Sequence, residues 1–467
     1  MPDPLVAAVV LAAGGSSRFG QPKQLLEWEG RPLVAHIADI AWAAGLSPVI
    51  VILGAAAERI TPVLSGRPLQ LLTNYRWEEG LSSSLALGIS ALPPEVEAAV
   101  FLQIDQPLLT PRFLQALVER WKESGRSIVV PTWQDRPGSP VLFARSHFAE
   151  LARLQGDVGG RTLIADHPDA VATLPLDDPS PLDDADTPEA YTRLEAQSRR
   201  APAKILKPIR GIICDMDGVL WKGNAPLPGL QEFFKFMDER PLRYLLVTNN
   251  SSRTPQQYVE KLAGLGVKTD IPHIRTSSMA TAEFLTRTAP GGAPVYIIGG
   301  DGVQEALQQR GFTPSNGEEA HAVVVGWDCH LSWEKLATAT RLIYKGARLI
   351  GTNPDRTFPT ENGTVHGNGA QLAALEAATG TKALVMGKPE PELYRQSLEL
   401  LELAPEEVLV VGDRADTDIL GGIRLGIPTV LLLSGVTDRA ALSASPVHAD
   451  LICENLADLV RIWREIE

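Results

Sequence analysis

Ile209-Arg210-Gly211-Ile212-Ile213-Cys214-Asp215-Met216-Asp217-Gly218-Val219-Leu220 decides how the chain is read. A short apolar run ends in two carboxylates and a glycine. A buried parallel strand that carries acids to its carboxyl end has this form, and that edge is where open α/β sheets bind ligands. Asp-x-Asp-Gly also occurs in turns and calcium loops. A calcium loop needs further oxygen ligands at alternate positions and a closing Glu, whereas Val219, Leu220 and Trp221 follow here. A first strand so deep in the sequence marks a second beginning. At ~100–200 residues per domain, the 467 residues hold two to four domains.

Composition narrows the function. Hydrophobic residues make up 44% and charged residues 21%, ordinary for globular protein and enough for two cores. The formal net charge of −13 argues against non-specific nucleic-acid binding and against a polybasic membrane anchor. Small anionic substrates stay open, because metal ions and helix N-termini override the global field locally. Cys214, Cys329 and Cys453 are far apart, fit neither a zinc site nor a disulfide framework, and read as buried reduced thiols. Val6 to Ala13 is no signal-peptide core: Asp3 precedes it and a glycine loop follows. No apolar run approaches the ~20 residues that span a bilayer. The expectation is a cytoplasmic protein with small-molecule partners, no nucleic acid and no membrane.

The first half opens with a buried strand, Leu5 to Ala12, followed by Ala13-Gly14-Gly15-Ser16-Ser17-Arg18-Phe19-Gly20-Gln21-Pro22-Lys23. Glycines let backbone N–H groups approach phosphate oxygens, and Arg18 and Lys23 supply counter-charge. The loop lacks the Gly-Lys-Ser/Thr of a Walker motif and the dinucleotide fingerprint, and a plain turn is the other reading. Helix and strand patterns then alternate: Pro32–Ala44 helical, Pro48–Leu53 extended, Ala55–Leu64 helical. Asn74 to Ser84 is a polar loop whose Ser82 and Ser83 either cap the next helix or bind a ligand at its start. The strand Ala98–Ile104 ends in Asp105, a carboxylate placed to hold magnesium against nucleotide phosphates. Asp183 to Glu189 reads as a helix N-cap, with Asp186 or Thr187 before Pro188.

Leu11 to Leu26, Asn74-x-x-Trp77-x-x-Gly80-x-Ser82-Ser83, Asp105-Gln-Pro107, Gly138-Ser-Pro140, Gly156-Asp157-Val-Gly159-Gly160-Arg161 and Asp186-Thr-Pro188 occur in this order. Together they make the segment from Val6 to about Leu194 resemble the molybdenum cofactor cytidylyltransferase family. The resemblance implies that Leu11, Ala12, Ala13 and Gly14 hold the base and ribose, and that Arg18 and Lys23 hold the phosphates. It also implies that Asn74, Ser82 and Ser83 line the nucleotide, with Asp105 and Asp186 on magnesium. Leu-Ala-Ala-Gly, where the guanylyltransferase relatives have Leu-Ala-Gly-Gly, favours CTP, with molybdopterin as acceptor. Two departures stand out: Gly160 where the family has alanine, and Ala185 where it has isoleucine. A sugar- or polyol-phosphate acceptor, or a non-catalytic nucleotide- or cofactor-binding module, are the alternatives for this half.

Arg193 to Pro208 loses the apolar periodicity and gathers prolines and basic residues, as linkers do. Beyond it the strand Arg243–Val247 ends in Thr248-Asn249-Asn250-Ser251-Ser252, either a phosphate site or a polar turn. Ala383 to Met386 delivers Lys388, and Val408–Val411 delivers Asp413, Asp416 and Asp418. Acids gathered at buried strand ends without function would be costly. Gly299-Gly-Asp-Gly302 reads as a tight turn, and Trp327-Asp-Cys-His330 as a loop rather than a metal site.

From Ile209 onward the motifs Asp215-Met-Asp217-Gly218-Val, Thr248-Asn249-Asn250-Ser-Ser-Arg253, Gly351-Thr-Asn-Pro354-Asp355, Gly387-Lys388-Pro389 and Gly412-Asp413-x-x-x-Thr417-Asp418 resemble the haloacid dehalogenase superfamily. The branch is that of the p-nitrophenyl and phosphoglycolate phosphatases. His366 stands where that branch often has proline. The resemblance implies Asp215 as nucleophile, Asp217 as acid and base, and Thr248 and Lys388 as stabilisers of the transferring group. Gly218, Asn249 and Asn250 would meet the phosphate. Asp215, Asp217, Asp413 and Asp418 would hold Mg2+. It also implies an inserted cap at about residues 291–380 and leaves room for a homo-oligomer formed through it. The expected architecture is α/β: two doubly wound, Rossmann-like parallel-sheet domains, residues 1–197 and 209–467, joined by a linker at 198–208. The second domain carries the α/β cap.

Overall fold

The computed structural model describes residues 4–15, 19–198, 202–360 and 363–466. The chain divides into two compact units, Met1–Arg200 with Ser443–Val447, and Ala201–Leu442 with His448–Glu467. The break falls within the stretch read as linker, yet that stretch is not linker throughout. Pro202–Leu206 is helical, and Ile205 and Leu206 are buried in the core of the second unit. Residues 199–201 lie outside the described residues.

The first unit is built on one sheet in the order Val171–Pro175, Ile128–Trp133, Val141–Ala144, Val96–Gln103, Leu5–Ala12, Val49–Leu53, Gln70–Thr73. All neighbours are parallel except Val141–Ala144, which runs against both of its own. Alternating side chains of the first strand feed two cores. Val6, Ala8, Val10 and Ala12 pack on one face with Val34, Ile37 and Val51. Ala7 and Val9 pack on the other with Ile50, Ile52 and Leu85. Burial on both faces is why these strands read as continuous apolar runs. Gly88 lets the helix Leu81–Ser90 lie close over the strand, since a Cβ there would collide with Val9.

The second unit repeats the logic with six parallel strands, in the order Ile274–Thr276, Arg243–Thr248, Gly211–Asp215, Val408–Gly412, Thr429–Leu432, Leu451–Cys453. Ile212 and Cys214 face Leu246, Phe233 and Trp463. Ile213 faces Val247, Val410 and Leu393. The helix Pro255–Gly264 starts from a reciprocal cap between Thr254 and Gln257, with Pro255 at its first position. Between Thr248 and Lys388 lies a second parallel sheet, ordered Thr313–Pro314, Pro294–Ile298, Ala322–Val325, Arg348–Gly351, Leu384–Val385. This cap sheet runs past the anticipated end at residue 380, because Leu384–Val385 pairs with Ile350 and Gly351. Among the described residues no helix is long and apolar enough to cross a membrane. Cys214 and Cys453 are buried free thiols, but Cys329 is exposed. The loop after Ala322–Val325 carries it to the surface, contrary to its reading as a buried residue.

Candidate active sites

In the second unit the neighbouring strands Gly211–Asp215 and Val408–Gly412 run parallel, so Asp215 and Asp413 emerge at the same sheet edge. Asp413 is followed by a widened helical turn, Ala415–Ile419, in which Ile419 N–H bonds the Arg414 carbonyl at 3.2 Å. Such turns recur at functional sites, and this one points Asp418 back at the edge. Oxygens of Asp215, Asp413 and Asp418 lie within 4.8 Å of one another. Lys388 Nζ donates to Asp215 Oδ1 at 2.5 Å and to Asp418 Oδ1 at 2.6 Å, all three residues being buried. Asp418 Oδ2 accepts the backbone N–H groups of Asp413 and Arg414 at 3.2 and 3.0 Å.

Three carboxylates share one ammonium, so charge is unbalanced. Burial, then Asp418, pushes the Asp413 carboxyl up to about 7. Burial works against the charged form of Lys388, but Asp215 and Asp418 outweigh it and hold the ammonium protonated. Asp413 Oδ2 accepts from Val436 N–H at 2.7 Å, while Oδ1 is buried without a hydrogen-bond partner among the described residues. A buried, orphaned carboxylate oxygen beside two more carboxylates fits a hard divalent cation held by oxygen, as magnesium is. Gly218, at φ +88°, leaves the room: a Cβ there or at Gly435 would collide with the Asp413 carboxylate.

The remaining residues of this set take different places. Asp217 is exposed, and its Oδ1 accepts from Trp221 Nε1 at 2.7 Å. Thr248 is buried at its strand end, with Oγ1 accepting Asn250 N–H at 3.0 Å. Asn250 Oδ1 is taken up by Ser252 N–H and Oγ at 3.0 and 2.7 Å. The Asn249 side chain is engaged by the chain itself. Its Oδ1 accepts Lys388 N–H and its Nδ2 donates to the Lys388 carbonyl, both at 2.8 Å. Asn249 Nδ2 also reaches Asp355 Oδ1 at 3.2 Å, and Asn353 Nδ2 holds the Asn249 carbonyl at 2.7 Å. Burial raises the Asp355 carboxyl, opposed by Arg414. The sequence assigns Asn353 and Asp355 no role, because their partner Asn249 lies over a hundred residues away, which spacing cannot show.

In the first unit Lys23 Nζ lies 3.1 Å from Asp186 Oδ1 and 3.5 Å from Asp105 Oδ2, bringing together three of the anticipated residues. Burial raises the Asp105 carboxyl, Lys23 lowers it, and its Oδ1 has no hydrogen-bond partner among the described residues. Asp105 and Asp186 thus share one ammonium, and the orphaned oxygen suits a divalent cation. Asp184, unassigned from the sequence, is pushed up to about 6 by partial burial and then by Asp105 and Asp186. Thr187 caps the helix Pro188–Ser198, accepting Ala190 N–H at 3.2 Å, which leaves Asp186 free to face Lys23. Leu11, Ala12, Ala13 and Gly14 run off the strand end, braced by Gln24 Nε2 on the Ala12 and Gly14 carbonyls, each at 2.8 Å. Arg18 lies outside the described residues.

Asn74, Ser82 and Ser83, anticipated to line the nucleotide, bond to one another and to nearby backbone. Asn74 Nδ2 donates to Ser83 Oγ at 2.8 Å, and Ser82 Oγ donates to the Gly156 carbonyl at 2.7 Å. Ser83 Oγ donates to the Gly80 carbonyl at 2.8 Å. None of the serines caps the helix; Gly80 is the capping residue. The two departures have local causes. A Cβ at Gly160 would lie 2.6 Å from the Phe143 ring, and Ala185 is buried against Trp28, Leu33 and Leu194.

Known families match both units. A MobA-like NTP transferase domain matches residues 8–171. A haloacid dehalogenase-like hydrolase matches residues 212–313, and a HAD-hydrolase-like family matches residues 385–459. An acid sugar phosphatase of Staphylococcus saprophyticus is 35% identical over 256 residues, which is 55% of this chain and 98% of that protein. The p-nitrophenyl phosphatase structure from Archaeoglobus fulgidus is 34% identical, covers 54% of this chain and 98% of its own, and superposes with a TM-score of 0.52. The 4-nitrophenylphosphatase structure from Thermotoga maritima is 32% identical, with 55% and 98% covered and a TM-score of 0.53.

Proposed function

Given that the chain belongs to the haloacid dehalogenase-like hydrolases and carries an NTP transferase-like domain ahead of that part, we propose a two-headed enzyme that hydrolyses a phosphomonoester and transfers a nucleotidyl group. The buried Lys388 bridge between Asp215 and Asp418, beside the orphaned Asp413 oxygen, carries the phosphatase reading. Asp215 attacks phosphorus, the ester P–O bond breaks, and Asp217 gives its proton to the leaving oxygen. Asp217 then takes a proton from water, which hydrolyses the aspartyl-phosphate. Lys388 holds charge on the nucleophile and the transferring group, and Thr248 donates a hydrogen bond to that group. Magnesium, held by Asp215, the Asp217 carbonyl and Asp413 with Asp418 in support, would neutralise phosphoryl oxygens.

In the first head Asp105 and Asp186 would hold magnesium, which supplies charge neutralisation along the triphosphate. Lys23 would bind its phosphates. An acceptor phosphate oxygen attacks the α-phosphorus of CTP and pyrophosphate leaves. Molybdopterin is the leading acceptor, on the strength of the glycine loop and the ordered motifs that follow it. A sugar or polyol phosphate is the second, favoured by the relatives named acid sugar phosphatases. Mass spectrometry of products from an Asp215→Asn protein, given magnesium, CTP and molybdenum-loaded molybdopterin, tests this directly. A cytosine dinucleotide product supports the first reading. Turnover only with a sugar phosphate and an NTP replaces it with the second. Loss of pyrophosphate release in Asp105→Ala, with nucleotide still bound, separates a catalyst from a binding module.

A further inference from the structure

Away from both acid clusters, His147, Glu150 and His167 converge in the first unit. His147 and Glu150 sit three residues apart, where the turn Arg145–His147 runs into the helix Phe148–Leu151, so their side chains share a face. His167 ends the helix Arg161–Asp166, its backbone N–H bound to the Leu163 carbonyl at 3.0 Å. His167 Nε2 lies 3.0 Å from Glu150 Oε2, and His147 Nδ1 lies 4.0 Å from the same oxygen. One donor atom from each residue falls within 4.8 Å of the others.

An ion pair accounts for His167 and Glu150 but reaches His147 only at the 4.0 Å limit. Its Nδ1 is too far from the carboxylate for a hydrogen bond, yet it is aimed at the same point, with the second imidazole beside it at a ring separation of 5.1 Å. The other nitrogen, Nε2, lies 2.8 Å from Ser127 Oγ. A metal-bound imidazole is held in this way, one nitrogen on the ion and the other on a fixed polar group. Tetrahedral bonds of ~2.0–2.1 Å put donors ~3.3–3.4 Å apart, between the two separations seen here.

We infer that His147 Nδ1, Glu150 Oε2 and His167 Nε2 form a zinc site, with solvent at the fourth position. Two imidazoles and one carboxylate select zinc, or its surrogate cobalt, over magnesium and calcium, which prefer all-oxygen shells. The ligands stand on either side of residues 152–160, the turn whose Gly156 carbonyl receives Ser82 Oγ. Zinc would therefore clasp the base of the turn that supports the Asn74–Ser84 loop.

The test uses the full-length, tag-free protein in excess magnesium, which occupies the all-oxygen sites. Zinc is titrated against a chromophoric chelator, and cobalt binding is followed by its visible absorption. The unaltered protein binds one zinc more than His167→Asn and Glu150→Gln proteins, and the cobalt band disappears in both. Ser127→Ala keeps the stoichiometry and weakens zinc about 10–100-fold. Both ligand substitutions are at solvent-reaching positions, so unfolding without added metal should match the parent. Equal zinc stoichiometry and affinity in the parent and both ligand variants overturns the proposal.

Discussion

Asp413 ionises at a cost, since burial and Asp418 lift its carboxyl to about 7 from an ordinary 3.8. The folded protein then holds a proton that the unfolded chain has already released. Without a cation this group's contribution to stability is therefore present at low pH and lost as pH climbs from about 4 to 7. Asp184, lifted to about 6, acts with the same sign in the first unit. The expected result is that the melting temperature in chelator falls between pH 5.5 and 7.5, and that magnesium flattens the dependence. An identical slope with and without magnesium would argue against cation binding at these acids. Lys388 gives a second prediction at this scale. Lys388→Ala leaves two buried carboxylates without their counter-charge, which should cost about 3–5 kcal/mol in denaturant unfolding of the cation-free protein. Phosphatase kcat should fall about 10²–10³-fold, as when a transition-state donor is removed.

Loops, more than strands, hold the side chains that matter. Asn249→Ala would strip the Lys388 N–H and carbonyl of their partners, a loss of about 1–3 kcal/mol. Steady-state kinetics should show it chiefly in kcat, because the lysine loosens while the substrate's own contacts remain. Gly160→Ala restores the residue usual in the nucleotidyltransferases and should nevertheless destabilise by about 1–3 kcal/mol, because the new Cβ meets the Phe143 ring. Adding Phe143→Leu should recover most of the lost melting temperature. These two residues also show where reading the sequence stops. Strands ending in Asp105, Asp215 and Asp413 were legible because buried parallel strands are apolar throughout and an acid at their end stands out. Lys23 beside Asp105 and Asp186 was legible only through an ordered set of motifs. Asn249 reads as a phosphate ligand because it follows Thr248; that its side chain also grips the backbone of a residue 139 positions away is a contact spacing cannot show. Ser82 and Ser83 were equally ambiguous, since a hydroxyl at a helix start serves ligand or loop alike. Asp184 went unassigned because its charged neighbour Asp105 is brought to it by folding.

Each unit has its own mostly or wholly parallel sheet and its own buried clusters. Residues 1–200 and 201–467, expressed separately, should each unfold cooperatively, and the second piece should keep the phosphatase turnover of the whole chain. Equal turnover by the separated pieces would exclude any hand-over of intermediate between the heads. Within the second unit, the strand Leu384–Val385 belongs to the cap sheet, and Met386 N–H is tied to the Gly351 carbonyl of that sheet at 3.0 Å. Two residues on, Lys388 is gripped fore and aft by Asn249. Gly387 alone separates the two anchorages, and a side chain there would strike the Asn249 amide and the Thr352 carbonyl. The cap sheet and the backbone of Lys388 are thus joined through a single residue. Any swing of the cap that a substrate imposes would act as a crank on that backbone, and through the lysine side chain on the charge that balances the acids.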